Sequence, residues 1–296
     1  MKIMRFIGIV FALFSAGSPS DTSAQDSGKK YKVYMVSNSH LDTQWRWDVK
    51  ATIDDYLYNT AVQNLALLEK YPHYVFNFEG AVKYEWIKEY YPHLFERIRK
   101  FVADGRWNIS GASFEANDPN MPSSESFIRN ILLAQEFYKK EFGIKSKDMF
   151  LPDCFGFSQV MPTLGHHCGL IGFSTQKLSW RTEPLVGDSK TPFPIGLWEG
   201  VDGARIMVAL EPGRYSWNEF PEGDLSANEE LAESARKSPF GIAYRYYGNK
   251  LANGAGDHGG SALPRSIQLL EEGITNGKGP VQLVSATSSQ LYEDYM

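Results

Sequence analysis

From Tyr31 onward, short runs rich in β-branched and aromatic residues alternate with longer stretches whose apolar residues recur at helical spacing. Residues 31–37 read as a buried strand, followed by a helix over 51–71 and a short strand at 75–78. A second amphipathic helix is expected over 85–104, with Trp86, Tyr90, Leu94, Ile98 and Val102 on one stripe and Gly105 ending it. Strands at 107–110, 149–151 and 171–175 enclose a helix over 123–142, with Ser123 or Ser124 as its cap, and a short helix over 159–168. Two strand-like runs, 196–199 and 205–210, flank Val201-Asp202-Gly203 and read as a hairpin. A strand over 242–247, a helix over 263–272 and a strand over 281–284 complete the pattern. Parallel neighbours need crossover connections, so this alternation implies an α/β fold with a mainly parallel sheet covered by helices. The number of units fits a barrel or near-barrel, in which functional groups gather where strands end and loops begin.

The start of the chain follows a different logic. Lys2 and Arg5 precede an apolar run over 6–14, and small residues follow up to Ala24. This is the arrangement of a secretory signal over 1–24, and it implies an exported protein, periplasmic or secreted. The run is too short for a membrane span; a buried N-terminal helix is the alternative to the signal. Residues 25–30 are polar and read as a tether, which leaves 31–296 as one domain. Formal net charge is −5 and no Lys/Arg-rich tract is present, which argues against nucleic acid as a partner. No segment of the mature chain is a candidate transmembrane span. Cys154 and Cys168 make no disulfide framework; they read as buried thiols, with a bridge between them left open.

Three constellations carry chemistry. The first, Ser39-His40-Leu41-Asp42-Thr43-Gln44-Trp45-Arg46-Trp47, follows the first strand. His40 and Asp42 are two apart, so an extended backbone turns both to one side. An imidazole and a carboxylate make half of a four-ligand site that suits zinc better than calcium. Trp45 and Trp47 offer flat apolar faces for a sugar ring or, more plainly, for the core. The second, Pro152-Asp153-Cys154-Phe155-Gly156-Phe157-Ser158, places Asp153 in a tightly turned loop after a strand; an Asx turn is the bland alternative. The third, Asn253-Gly254-Ala255-Gly256-Asp257-His258-Gly259-Gly260, allows close backbone approach to a ligand but contains no phosphate-cradling motif. His166 and His167 look helical, lack a carboxylate at useful spacing and read as structural.

Taken in order, these segments resemble glycoside hydrolase family 38, the retaining α-mannosidases, in the branch that includes cytosolic-type and many bacterial enzymes. His40-Leu41-Asp42 with Trp45 is similar to the family's first metal motif, and Pro152 to Ser158 to its nucleophile loop. Ser174-Thr175-Gln176-Lys177-Leu178-Ser179-Trp180 resembles a diagnostic run of that branch, and residues 198–203 and 256–260 fall in the family's order. The resemblance covers about residues 31–296. It implies a distorted seven-stranded α/β barrel and one zinc ion, with His40, Asp42 and Asp153 at three ligand positions. It makes Asp153 the nucleophile, Asp257 the candidate acid/base and Trp45 a contact to bound mannose. Lys177 and Trp180 receive no role. The implied partner is an α-mannoside oligosaccharide, from mannan or N-glycan fragments, in mannose metabolism.

The family's fourth zinc ligand is a histidine downstream of the Asp257 loop, and its C-terminal domains are β-rich. This chain ends at Met296, and His258 is the one histidine after His167. The expectation is therefore an incomplete barrel and a site one ligand short. A metal-dependent deacetylase on a similar barrel and a non-catalytic carbohydrate-binding remnant are the alternatives. The 174–180 run argues against the first, and the missing histidine favours the second.

Overall fold

The computed structural model describes residue 28 and residues 30–179, 191–248 and 257–296. The expected signal over 1–24, most of the tether, Trp180 and residues 253–256 of the third constellation lie outside them. No helix of the described residues is long and apolar enough to cross a membrane.

Nine strands form two sheets among the described residues. In the first, β1 (Tyr31–Asn38) is central. It pairs in parallel with β8 (Ile242–Gly248) along one edge. Its other edge is shared: β9 (Val281–Ser285) pairs with residues 31–35, and β2 (Phe76–Glu79) with Ser37 and Asn38. Next to β2 lies β3 (Trp107–Ser110), also parallel. The second sheet has the order β4 (Asp148–Phe150), β5 (Gly172–Ser174), β7 (Arg205–Ala209) and β6 (Ile195–Glu199). Among the strands of the described residues, only the β6–β7 hairpin pairs antiparallel, and it turns at Val201-Asp202-Gly203 as the Asp-Gly signal implies.

The sheets meet at two seams. On one, the Ala112 amide donates to the Asp148 carbonyl at 2.8 Å. On the other, the Tyr246 amide donates to the Pro212 carbonyl at 2.8 Å and Gly248 to Trp217 at 2.9 Å. Single hydrogen bonds, not ladders, link the two, so the strands curve toward a barrel that the pairing of the described residues does not close.

Alternation along β1 divides the core. Val33 and Met35 join an outer cluster with helices α2 (Tyr58–Lys70), α3 (Ala81–Tyr90), α4 (Pro92–Ala103) and α8 (Pro264–Asn276). Tyr34 and Val36 join a second cluster with Phe150, Tyr244, Tyr246 and Tyr292. Successive strand residues face opposite ways, so this split is the signature of a sheet buried on both faces. The tyrosine hydroxyls in the second cluster are satisfied: Tyr244 donates to the Ser288 carbonyl, Tyr246 to Ser174 Oγ and Tyr292 to the Phe173 carbonyl, at 2.6–2.9 Å. A third cluster packs α6 (Met161–His167) and α5 (Ser124–Phe142) against β4, β5 and β7.

Three expectations need correction. The single helix over 85–104 is two, α3 and α4, broken at Tyr91. Pro92 lacks an amide hydrogen and disfavours a helical residue before it, and Tyr91 sits at φ −134°, ψ 57°. The helix over 51–71 begins earlier: α1 (Val49–Ala51) is capped by the Asp48 side chain and passes through a π-helical turn, Thr52–Leu57, into α2. The cysteines are half-buried rather than buried, and both are free. Two further helices, α7 (Glu229–Arg236) and α9 (Gln290–Tyr295), have short apolar stripes that gave little periodic signal.

Candidate functional site

His40, Asp42, Glu79, Asp153, Lys177, Tyr215 and Asp257 lie just beyond, or at, the C-terminal ends of β1, β2, β4, β5, β7 and β8. Strands of a parallel sheet end together, so residues 217 positions apart in sequence share one face.

His40 is the hub and is only 6% exposed. Its Nε2 lies 3.2 Å from Asp42 Oδ1, 3.7 Å from Asp153 Oδ2 and 3.9 Å from Asp257 Oδ1. Its Nδ1 faces the other way, 3.7 Å from Glu79 Oε1. Neither ring nitrogen makes a hydrogen bond of good geometry among the described residues. His40, Asp42 and Asp257 can offer ligand atoms that all lie within 4.8 Å of one another, a spacing a metal ion could bridge. Asp153 approaches the same nitrogen through Oδ2 and turns Oδ1 to the ammonium of Lys177, a buried ion pair.

The backbone holds these groups together. Leu41 bridges to His258, the Asp42 amide donates to the Asp257 carbonyl at 3.0 Å, and the Gly259 amide donates to the His40 carbonyl at 3.0 Å. Asp257 has φ 74°, the one positive φ at a non-glycine among the described residues. A left-handed residue with a Cβ costs about 1 kcal/mol, so the neighbouring contacts must impose it. One of them is the Tyr215 hydroxyl, which donates to Asp257 Oδ1 at 2.5 Å. Gly259 is required where it stands: at φ +71° a Cβ would meet Thr60 Oγ1 at 2.2 Å.

Electrostatics point to a cation. Burial disfavours a charged imidazole, yet Asp42, Glu79 and Asp153 outweigh it and raise the His40 pKa to about 10. Burial likewise opposes ionisation of Glu79, but Lys83 and His40 pull it down to about 2. Burial pushes the Tyr215 phenol well up, as do the carboxylates of Asp153 and Asp257, so it stays a donor. Four carboxylates, Asp42, Glu79, Asp153 and Asp257, are matched by the ammoniums of Lys83 and Lys177, leaving two negative charges when His40 is neutral. One imidazole, several carboxylate oxygens and that excess fit a divalent ion of zinc's ligand preference.

Trp45 is 51% exposed, with the Arg46 guanidinium 4.2 Å above its ring and Trp47 edge-on at 6.1 Å. Trp47 is anchored: its Nε1 donates to Thr52 Oγ1 at 2.8 Å and its ring stacks on His258 at 4.3 Å. His167, read as lacking a carboxylate, has one in space: its Nε2 lies 2.7 Å from Asp202 Oδ2 of the hairpin, on the surface. Sequence reading gave no role to Glu79, Lys83, Lys177 or Tyr215. Glu79 ends a short strand and precedes a glycine, and Lys177 stands in the run after another strand, so strand-end position was an available signal. Nothing local distinguishes Tyr215.

Known proteins resemble this chain in sequence and in fold. Residues 30–294 match the family model described as the glycosyl hydrolases family 38 N-terminal domain. The chain is 32% identical over 265 residues to alpha-mannosidase 2C1 of Homo sapiens, covering 89% of this chain and 24% of that protein. It is 37% identical over 190 residues to alpha-mannosidase G of Dictyostelium discoideum, covering 64% of this chain and 17% of that one. The solved structure of an alpha-mannosidase from Enterococcus faecalis V583 superposes with a TM-score of 0.70 at 23% identity, over 90% of this chain and 29% of that chain. The chain thus spans about a quarter or less of the curated relatives' length. With nearly its whole described length matched by the family model, this chain belongs to glycosyl hydrolase family 38 and carries its N-terminal domain.

Proposed function

We propose that the chain forms the nucleophile-bearing domain of a zinc-dependent, retaining α-mannosidase that acts on terminal α-mannosides such as mannan or N-glycan fragments. The observation that carries this reading is the convergence of Asp42, Asp153 and Asp257 on one buried imidazole nitrogen, within a chain of family 38. The Lys2–Ala24 pattern supports export.

His40, Asp42 and Asp153 would hold the ion, and Asp257 stands 3.9 Å from His40 Nε2. Bound zinc supplies Lewis-acid attraction for vicinal sugar hydroxyls. Asp153 acts as the nucleophile. Its carboxylate oxygen forms a bond to the anomeric carbon as the bond to the leaving oxygen breaks, and water later releases the sugar. The ammonium of Lys177 pairs with Asp153 Oδ1 and holds the carboxylate in place for attack. Asp257 delivers the proton to the leaving oxygen, and the Tyr215 hydroxyl on Oδ1 leaves Oδ2 as the oxygen that exchanges it. Trp45 offers an exposed apolar face to the sugar.

The test is hydrolysis of 4-nitrophenyl α-D-mannoside with and without chelator. Wild-type protein releases nitrophenol, chelator stops it, and Asp153→Asn abolishes it while zinc is still retained. Turnover by Asp153→Asn at the wild-type rate would overturn the assignment.

A further inference from the structure

Behind His40, on the side away from the three aspartates, lies a second buried ion pair. Glu79 is the last residue of β2 and is 3% exposed; Lys83, in the first turn of α3, is fully buried. Lys83 Nζ donates to Glu79 Oε1 at 3.0 Å, and that same oxygen lies 3.7 Å from His40 Nδ1. The local fold builds the pair. Gly80, at φ +90°, turns the chain from strand to helix, and the Lys83 stem folds back across it, 3.4 Å from where a Cβ would stand. The helix N-terminus therefore places the ammonium over the end of the preceding strand.

Burying two charges is costly, and an apolar pair of similar volume is often as stable. A role at the site explains their presence better than stability does. We propose that Glu79 and Lys83 are positioning residues for the metal site: the Glu79 carboxylate, 3.7 Å from His40 Nδ1, favours the proton on that nitrogen by its charge and leaves Nε2 to face the ion among the three aspartates, and the ion pair with Lys83 fixes where Glu79 stands. This rests on the metal reading above. Glu79 orients the imidazole as carboxylates behind metal-bound histidines do. Lys83 prevents a fourth carboxylate from adding uncompensated charge to a pocket that already holds three. A neutral Lys83 replacement strands Glu79, and a neutral Glu79 replacement strands Lys83, so the pair is best removed together.

The experiment measures zinc affinity by competition with a chromophoric chelator for wild type, Glu79→Gln, and the double variant Glu79→Leu/Lys83→Met. Metal-free thermal unfolding and long-range proton–nitrogen NMR of the His40 ring accompany it. The double variant is expected to unfold, metal-free, close to the wild-type temperature yet to bind zinc about 10- to 100-fold more weakly. With zinc bound, its His40 ring is expected to lose the single Nδ1–H form of wild type, and Glu79→Gln, which keeps an acceptor, to lose less affinity. A double variant that binds zinc as wild type does, with the same tautomer, overturns this inference and leaves the metal reading intact. A wild-type protein that takes up no zinc overturns both.

Discussion

The Asp42 amide donates to the Asp257 carbonyl at 3.0 Å, although 215 positions separate the two residues. This bond fastens the loop after β1 to the loop after β8. It sets where two of the three carboxylates facing His40 stand, and it helps impose the left-handed backbone of Asp257.

The fastening depends on Gly259. An alanine there combines a φ of +71° with a Cβ 2.2 Å from Thr60 Oγ1, and that oxygen already accepts from the Gly260 amide. Gly259→Ala is expected to destabilise the protein by about 1–3 kcal/mol, read from the urea unfolding midpoint. Zinc affinity should fall with it, because Asp257 moves away from His40. An unchanged midpoint would show that the loop is not held as described.

Lys177 is 2% exposed and is paired with Asp153. Lys177→Met removes the ammonium paired with Asp153 Oδ1 and leaves the nucleophile's carboxylate less firmly positioned. Turnover of an aryl α-mannoside is expected to drop by about 100-fold, mostly in kcat. A loss confined to KM would contradict a role at Asp153.

Removing metal provides a test independent of turnover. If the excess charge around His40 is balanced by a bound ion, zinc stabilises the folded chain by about 2.7 kcal/mol at 100 times its Kd. Chelator should then lower the thermal midpoint of wild type and leave that of His40→Ala unmoved. Equal responses in the two proteins would place the ion elsewhere.

Asp148 gives a pH prediction away from the site. Burial raises its pKa to about 6, against hydrogen bonds from the Gly111 amide and Ser146 Oγ that favour the anion, and Oδ2 has no hydrogen-bond partner among the described residues. The folded chain therefore holds a proton that the unfolded chain releases near the ordinary carboxylate value. Stability from this group is lost as pH rises from about 4 to about 6, and the loss is complete above that. Asp148→Asn keeps an acceptor for both donors without the charge. It should gain stability over wild type as pH rises, approaching about 3 kcal/mol at most above pH 6, and almost none near pH 4. A constant difference across that range, measured by denaturant unfolding, would rule out titration of Asp148 as the cause.

Much of this was legible in the sequence, for local reasons. Backbone hydrogen bonding and apolar periodicity act over a few residues, so the strands at β1, β3 and β8, the hairpin at Asp202-Gly203 and the Ser123-capped α5 could be read directly. The break at Tyr91-Pro92 was equally local and was masked by an apolar stripe that runs through it. Ordered motifs carried His40, Asp42, Asp153 and Asp257 as site residues together with the family. Tertiary structure alone decided which face of His40 each carboxylate meets, that Asp257 stands beside Asp42, and that Lys177, Tyr215, Glu79 and Lys83 belong to the same cluster. Those relationships are set by how parallel strands stack their C-terminal ends in space. Spacing along the chain does not encode them, because each crossover adds sequence length without adding distance between strand ends.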